Sequence, residues 1–518
     1  MIRLRVNLNI VMLCVLIVSF ASSVYSQSND ETVKLRDELN VLKQLQKEYI
    51  IRIEQLENRL DFLEENNKSI ENIAVQAEIQ AEKAARTAKE AEEEAKQTRD
   101  THEKIFREPI ADLLPSYVTK GFEFHGYMRS GYGVNGEGGH QVPFQAPGAD
   151  AKYRLGNETE TYGELAFAND FDPGGAGPSF KVQARIAFHT DENTNYDPDN
   201  TKFAIRESFV EASDFDWSGD IKFWAGQRFY RRHDIHINDF YIFNMSGYGG
   251  GFEDMPFLFG NSKLALAYIG GSSDEYEFPG TGYISKNTLD LRIYEIDVPL
   301  GQGTIWIAPS TLKGGIYSAA GADGESIKQR YDSTSGFALG LIHNRNYGNG
   351  GYNEVTLQYG KGTGSDFSPD VQNPTMNLDD AWQFRVTEST IIQVNDHLSM
   401  MGDIIWQVKD DGSNSDSKTT WLSAGVRPVY CFTDHLALAF EAGADWADNE
   451  QSNTDGVLLK LTVAPELRFG NKFLDRPVLR AYVTYASWSN DFEGEIGSNA
   501  YSDETAGLSA GLQMEAWW

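Results

Sequence analysis

The residues best equipped for chemistry crowd into one stretch, Arg228 to Tyr241 (RFYRRHDIHINDFY), which holds Arg228, Arg231, Arg232, Asp234 and Asp239. His233 and His236 lie in the same stretch, among the aromatics Phe229, Tyr230, Phe240 and Tyr241. Such a cluster could bind a metal, contact nucleic acid, form a catalytic loop or line a path for polar ligands. Metal ligation is weakly supported, because no Cys or HExxH pattern supplies further ligands at compatible spacing. Two other motifs match catalytic patterns on paper. Gly507–Gly511 (GLSAG) fits a nucleophile elbow, but no helix can follow it so close to the end of the chain. Gly131, Gly133 and Gly136 fit a dinucleotide fingerprint, yet the residues after them cannot open a helix. No catalytic residue, cofactor or metal is therefore expected.

The rest of the chain decides what the cluster is for. Over 518 residues the formal charge is −31, which disfavours nucleic acid as a partner, since that affinity comes from neutralising phosphates. Mean hydropathy is −0.44, and nothing beyond the N-terminus approaches the run of about eighteen apolar residues that a membrane helix needs. Aromatics make up 12%, with 48 glycines and 24 tyrosines, a combination that favours strands and many turns. Residues 1–26 read as a secretory signal, with Arg3 and Arg5 ahead of an apolar core (Ile10 to Phe20) and a small-residue exit at Ser26. Its removal would leave Cys431 alone, so no internal disulfide framework is expected.

Residues 27–107 carry a heptad repeat from Leu35, with Leu35, Leu42, Tyr49, Leu56 and Leu63 on one seam position and Leu39, Gln46, Ile53, Leu60 and Asn67 on the other. The period predicts an α-helical, left-handed coiled coil serving as an oligomerisation arm. Pro109 and Pro115 break it in a linker, 108–120. From Gly121 to Trp518 the pattern changes to period 2, separated by Gly/Asp/Asn/Ser clusters. At the C-terminus Leu508, Ala510, Leu512, Met514, Ala516 and Trp518 form an apolar face opposite Ser509, Gln513, Glu515 and Trp517. Short connections (431–435) alternate with long ones (409–418). Export, alternation and a terminal aromatic together predict an all-β transmembrane barrel, because in lipid an open sheet edge is not tolerated. The length accommodates about eighteen antiparallel strands, enough to leave an aqueous channel.

Several stretches resemble the maltoporin family of sugar-specific outer-membrane porins: FHGYMRSGYG (124–133), KYRLGNETETYGEL (152–165), WAGQRFYRRHDIHINDFY (224–241), MSGYGGGFEDM (245–255), GVRPVY (425–430), RPVLRAYVTYASW (476–488) and GLQMEAWW at the end. The resemblance implies an eighteen-stranded barrel that forms homotrimers, with the third external loop folded into the pore. It further implies passive, saccharide-selective diffusion across the bacterial outer membrane, with maltose and maltodextrins as the first expectation. The N-terminal arm resembles the periplasmic extension of sucrose-type porins in the same family. An aromatic slide is implied at Tyr127, Tyr162, Tyr352 and Trp517. A further slide position aligns with Leu474, beside Phe473, and a cross-subunit aromatic lies near Tyr196. The polar constriction is implied at Arg129, Arg154, Glu164, Arg206, Arg232, Asp234, His236, Asp239 and Tyr241. The residues agree with these roles, since aromatic faces suit the C–H face of a sugar ring and charged groups suit its hydroxyls. Three alternatives stay open: a sucrose or other oligosaccharide porin, a barrel enzyme, and a structural tether whose arm meets periplasmic or cell-wall partners.

Overall fold

The computed structural model describes residues 118–172, 177–190, 193, 200–258, 260–278, 282–320, 326–372, 377–413 and 417–518. The signal (1–26), the coiled coil (27–107) and most of the linker lie outside the described residues. The first strand, β1 (Val118–Asn135), begins a few residues ahead of the boundary expected at Gly121.

The strands then follow in chain order. β2 is Tyr162–Asp172, β3 Ser179–Thr190, β4 Thr201–Ser213 and β5 Lys222–Arg228. A short hairpin, β6 (His233–Ile235) and β7 (Phe240–Phe243), precedes β8 (Gly247–Pro256), β9 (Lys263–Phe278), β10 (Gly282–Val298) and β11 (Gly301–Leu312). A second hairpin, β12 (Gly315–Ala320) and β13 (Ser326–Tyr331), precedes β14 (Thr334–Gly348), β15 (Gly351–Lys361), β16 (Trp382–Asn395) and β17 (Leu398–Asp410). The last five are β18 (Lys418–Cys431), β19 (Leu436–Asn449), β20 (Thr454–Arg468), β21 (Val478–Trp488) and β22 (Ala506–Trp517). Apart from the two hairpins, they form one sheet of 18 strands, each antiparallel to its neighbour. β22 pairs back onto β1 through Tyr127↔Trp517 to Asn135↔Ser509, so the sheet closes and no edge is left for lipid to meet.

The alternation is inside out. Along β20, Val457, Leu459, Leu461, Val463 and Leu467 are exposed, while Lys460, Thr462, Glu466 and Arg468 are buried. Water on the outer face would leave that apolar band unfavourable, whereas hydrocarbon suits it. The inward charges are paired, as buried ions must be: Lys460 Nζ donates to Glu441 at 2.8 Å and Arg427 Nε to the other Glu441 oxygen at 2.7 Å. Ser509, the serine of GLSAG, lies mid-strand in β22, fully buried and opposite Thr484. Gly131 and Gly133 lie within β1, and no helix follows.

Two long connections turn into the lumen. Residues 136–161 are anchored by Tyr153, whose ring fills the space over Gly425 and Gly443, cross-strand partners on β18 and β19. A Cβ at Gly443 would stand 2.0 Å from the Tyr153 ring and one at Gly425 2.1 Å, so both positions need to lack a side chain. The Gly443→Ala variant should therefore lose roughly 1–3 kcal/mol through overpacking, read as a lower urea midpoint for the folded barrel. An unchanged midpoint would show that the loop does not pack there. Leu155 is pinned next, its N–H donating to Glu441 at 3.1 Å and its carbonyl accepting from Lys460 at 2.7 Å. With its neighbours held to the wall, Arg154 is left to face the lumen.

The third long connection, 229–246, is the other infolded loop, as expected. Its β6–β7 hairpin presses Ile235, Ile237, Phe240, Ile242 and Phe243 against the wall, all buried. Phe240 meets Trp421 edge-on at 5.4 Å and Phe243 meets Trp306 at 5.1 Å. Gln358 and Arg385 donate to the Ile242 carbonyl at 2.9 and 3.3 Å. The alternate residues, Asp234, His236, Asp239 and Tyr241, face away from the wall. Asp239 closes the turn at φ 54°, a left-handed conformation that aspartate tolerates better than most residues.

Candidate functional site: a constriction lined by rings and charges

Between the infolded loops and the wall lies a cavity of about 370 Å³ lined by Tyr127, Arg129, Arg154, Tyr162, Glu164, Arg206, Arg232, Asp234, His236, Asp239, Tyr241 and Trp517. Every expected site residue is brought together there except Tyr352. That residue lies on β15, next to the short β14–β15 turn, and packs partly buried against the core.

The rings come from three adjacent strands. Tyr127 on β1 stands opposite Trp517 on β22, and Tyr162 on β2 stands opposite Arg129 on β1. Their centroids are 6.1 Å apart for Tyr127–Tyr162 and 6.3 Å for Tyr127–Trp517, which places three rings in one oblique row. The charges flank it. Arg154 Nη2 donates to the Tyr127 hydroxyl at 2.6 Å and pairs with Glu158 at 2.7 Å and Glu515 at 3.1 Å. Arg129 pairs with Asp239 and Glu158 at 3.2 Å each, and with Glu160. Glu164 accepts from Arg185 at 2.9 Å. The Arg232 guanidinium lies 3.8 Å from the Tyr241 ring centroid and 4.0 Å from that of Phe229, flat contacts that lysine could not reproduce. Among the described residues, Arg206, Arg232 and Asp234 make no ion pair, so their polar groups are open to a ligand.

Two loop residues have settled charge states. Burial alone would raise the Asp239 pKa, but Arg154 and Arg129 reverse this and hold the carboxyl below its ordinary range. Burial, with Arg154 and Arg476 beside it, holds His236 well below the ordinary histidine value despite Glu515. Geometry agrees, since Arg476 Nη2 lies 3.1 Å from His236 Nε2 and Arg154 Nη1 3.4 Å from Nδ1. An imidazolium could accept from neither. A depressed histidine pKa contributes stability that is full above the unfolded value of about 6.5 and is lost as pH falls below it. Channel properties should consequently show no His236 step at the ordinary histidine value near pH 6.5. Conductance profiles of the native protein and His236→Asn should run parallel; a step near pH 6.5 confined to the native channel would contradict this assignment.

Sequence reasoning missed several members. Glu158 and Glu160 neutralise Arg129 from the first infolded loop. Glu515 accepts from Arg476 Nε at 2.8 Å, Arg480 Nη2 at 2.9 Å and the Tyr127 hydroxyl at 3.2 Å. The only sequence signal for Glu515 was its place on the inward face of β22. At the position aligned with a further slide ring, Leu474 is 38% exposed while its neighbour Phe473 is 3% exposed and stands edge-on to His236 at 6.3 Å. Tyr196 lies outside the described residues.

A family model described as LamB porin matches residues 122–518. The chain belongs to the LamB porin family. It is accordingly an outer-membrane β-barrel porin, a non-enzymatic channel of a family that transports sugars and forms trimers. Among solved structures, OmpT of Vibrio cholerae is 10% identical, with 77% of this chain and 97% of that one covered and a TM-score of 0.36. OccD3 (OpdP) of Pseudomonas aeruginosa is 9% identical, covering 78% and 92%, with a TM-score of 0.39. OccK9 (OpdG) of Pseudomonas aeruginosa is 10% identical, covering 77% and 98%, with a TM-score of 0.43. Family membership rests on the LamB match, and the site on the geometry of this LamB porin.

Proposed function

We propose that this LamB porin is a homotrimeric channel for passive, saccharide-selective diffusion, with maltose and maltodextrins as its main substrates. The observation that carries the reading is the row Tyr162–Tyr127–Trp517 running beside Arg206, Arg232 and Asp234, which make no ion pair among the described residues, in one narrow cavity. A pyranose has an apolar C–H face and a belt of hydroxyls at its edge. Rings in series hold the face weakly at each step, so the sugar moves on. Guanidinium and carboxylate groups exchange charge-assisted hydrogen bonds with the hydroxyls. Arg129, Arg154, Glu164, His236, Asp239 and Tyr241 complete this lining, while Tyr352 would act further along the path, outside the cavity. Residues 1–26 are proposed as a cleaved signal, and 27–107 as a periplasmic coiled coil that supports the trimer.

Sucrose or another oligosaccharide is the second reading, favoured by the side chains at 473–474, where an aliphatic residue and a buried phenylalanine stand in place of an open ring. Swelling of proteoliposomes separates the two. Maltose influx should exceed that of sucrose, a disaccharide of equal mass. Equal rates for the two, set by size alone, would leave a general pore. Deleting 27–107 tests the tether alternative, since a channel keeps its sugar influx without the arm.

A further inference from the structure

We propose that Arg476 is a positioning residue, which clamps Trp517 and His236 at the end of the aromatic row and so sets how long a bound sugar stays. The proposal rests on the saccharide reading of the cavity. Arg476 arrives on the connection 469–477 between β20 and β21, at the same end of the barrel as the C-terminus of β22. Its side chain is 4% exposed, and its donors go to three different parts of the chain. Nε binds Glu515 on β22 at 2.8 Å, Nη1 binds the carbonyls of Phe473 and Asp475 at 3.1 and 3.0 Å, and Nη2 faces His236 on the infolded hairpin at 3.1 Å. The guanidinium carbon lies 4.4 Å from the centroid of the Trp517 ring.

Trp517 needs such a clamp. It is the last residue of β22, with only the backbone pair between Gly126 and Trp518 beyond it. Tyr127 stacks near it at 6.3 Å and His236 meets it edge-on at 5.7 Å, and the Arg476 guanidinium carbon is nearer to the ring than either, at 4.4 Å. A planar, fully charged guanidinium can stack on an indole and keep its in-plane donors for Glu515, Phe473, Asp475 and His236. That combination fixes Trp517 and His236 relative to each other before a sugar arrives. A surface held in its binding geometry lengthens residence without altering access, so the effect belongs to dissociation.

The test is noise analysis of maltotriose-induced current block in planar bilayers, with native protein, Arg476→Ala and Arg476→Lys. Lysine keeps the charge beside Glu515 and protects the fold, yet lacks the flat stack and the forked donors. Both variants are expected to release sugar roughly threefold faster, with association within about twofold of native. Arg476→Lys folding and conducting normally but releasing sugar at the native rate would overturn the clamp, as would an unchanged rate in Arg476→Ala. Absence of any sugar block in the native channel would instead overturn the saccharide reading, and the clamp with it.

Discussion

Trp517→Ala is expected to raise the maltotriose concentration for half-maximal block by about two- to tenfold. One ring contact of this kind is worth about 0.5–1.5 kcal/mol, and 1.4 kcal/mol is a factor of ten in affinity. The loss should be large because Trp517 ends the row, with Tyr127 at 6.3 Å and the Arg476 guanidinium carbon at 4.4 Å from its ring centroid. Trp517→Phe, which keeps a ring, should recover most of the affinity. Arg476→Ala should then add little in a Trp517→Ala background, since residues that act through one contact are not additive. Half-maximal block unchanged in Trp517→Ala would remove this residue from the sugar path.

The second large effect is on stability. Glu515 is 2% exposed and takes Arg154 at 3.1 Å, Arg476 at 2.8 Å and Arg480 at 2.9 Å. Removing this carboxylate leaves three buried guanidinium groups short of a counter-charge, although Glu158 still serves Arg154 and Glu466 lies 3.4 Å from Arg480. Breaking a buried ion pair from one side costs about 3–5 kcal/mol. Glu515→Ala should therefore unfold at a clearly lower urea concentration than the native barrel, and more readily than Glu123→Ala, whose partner Lys181 is a third exposed. Equal midpoints for the two variants would show that the arginines are not held by Glu515.

The barrel was legible because period-2 alternation is local. Leu508 to Trp518 announced their outward face from spacing alone, and β22 carries it. The infolded loop was legible through the family resemblance, and its dense charge run with interleaved isoleucines takes the pattern of a hairpin with one apolar face. Ile235 and Ile237 against the wall, with Asp234 and His236 towards the cavity, are that pattern in three dimensions. What the residues alone could not reveal was partnership across long separations. Arg154, Arg476 and Glu515 meet only after a loop, a turn and the final strand converge, and nothing local marks Glu515 as their shared acceptor. Tyr352 illustrates the converse. Its resemblance to a slide residue is a property of the aligned strand, whereas the cavity is closed by loops that lie elsewhere. Which of Phe473 and Leu474 turns inward was not legible, because the direction of a turn's side chains follows its backbone path, which spacing does not specify.

The most direct test of the central claim is single-channel conductance in a planar bilayer, titrated with maltotriose, sucrose and glucose. A saccharide path through the Tyr162–Tyr127–Trp517 row predicts concentration-dependent block of the ion current at millimolar sugar, strongest for maltotriose. Ion current that persists unchanged with all three sugars would contradict it and leave a LamB-family barrel acting as a general pore.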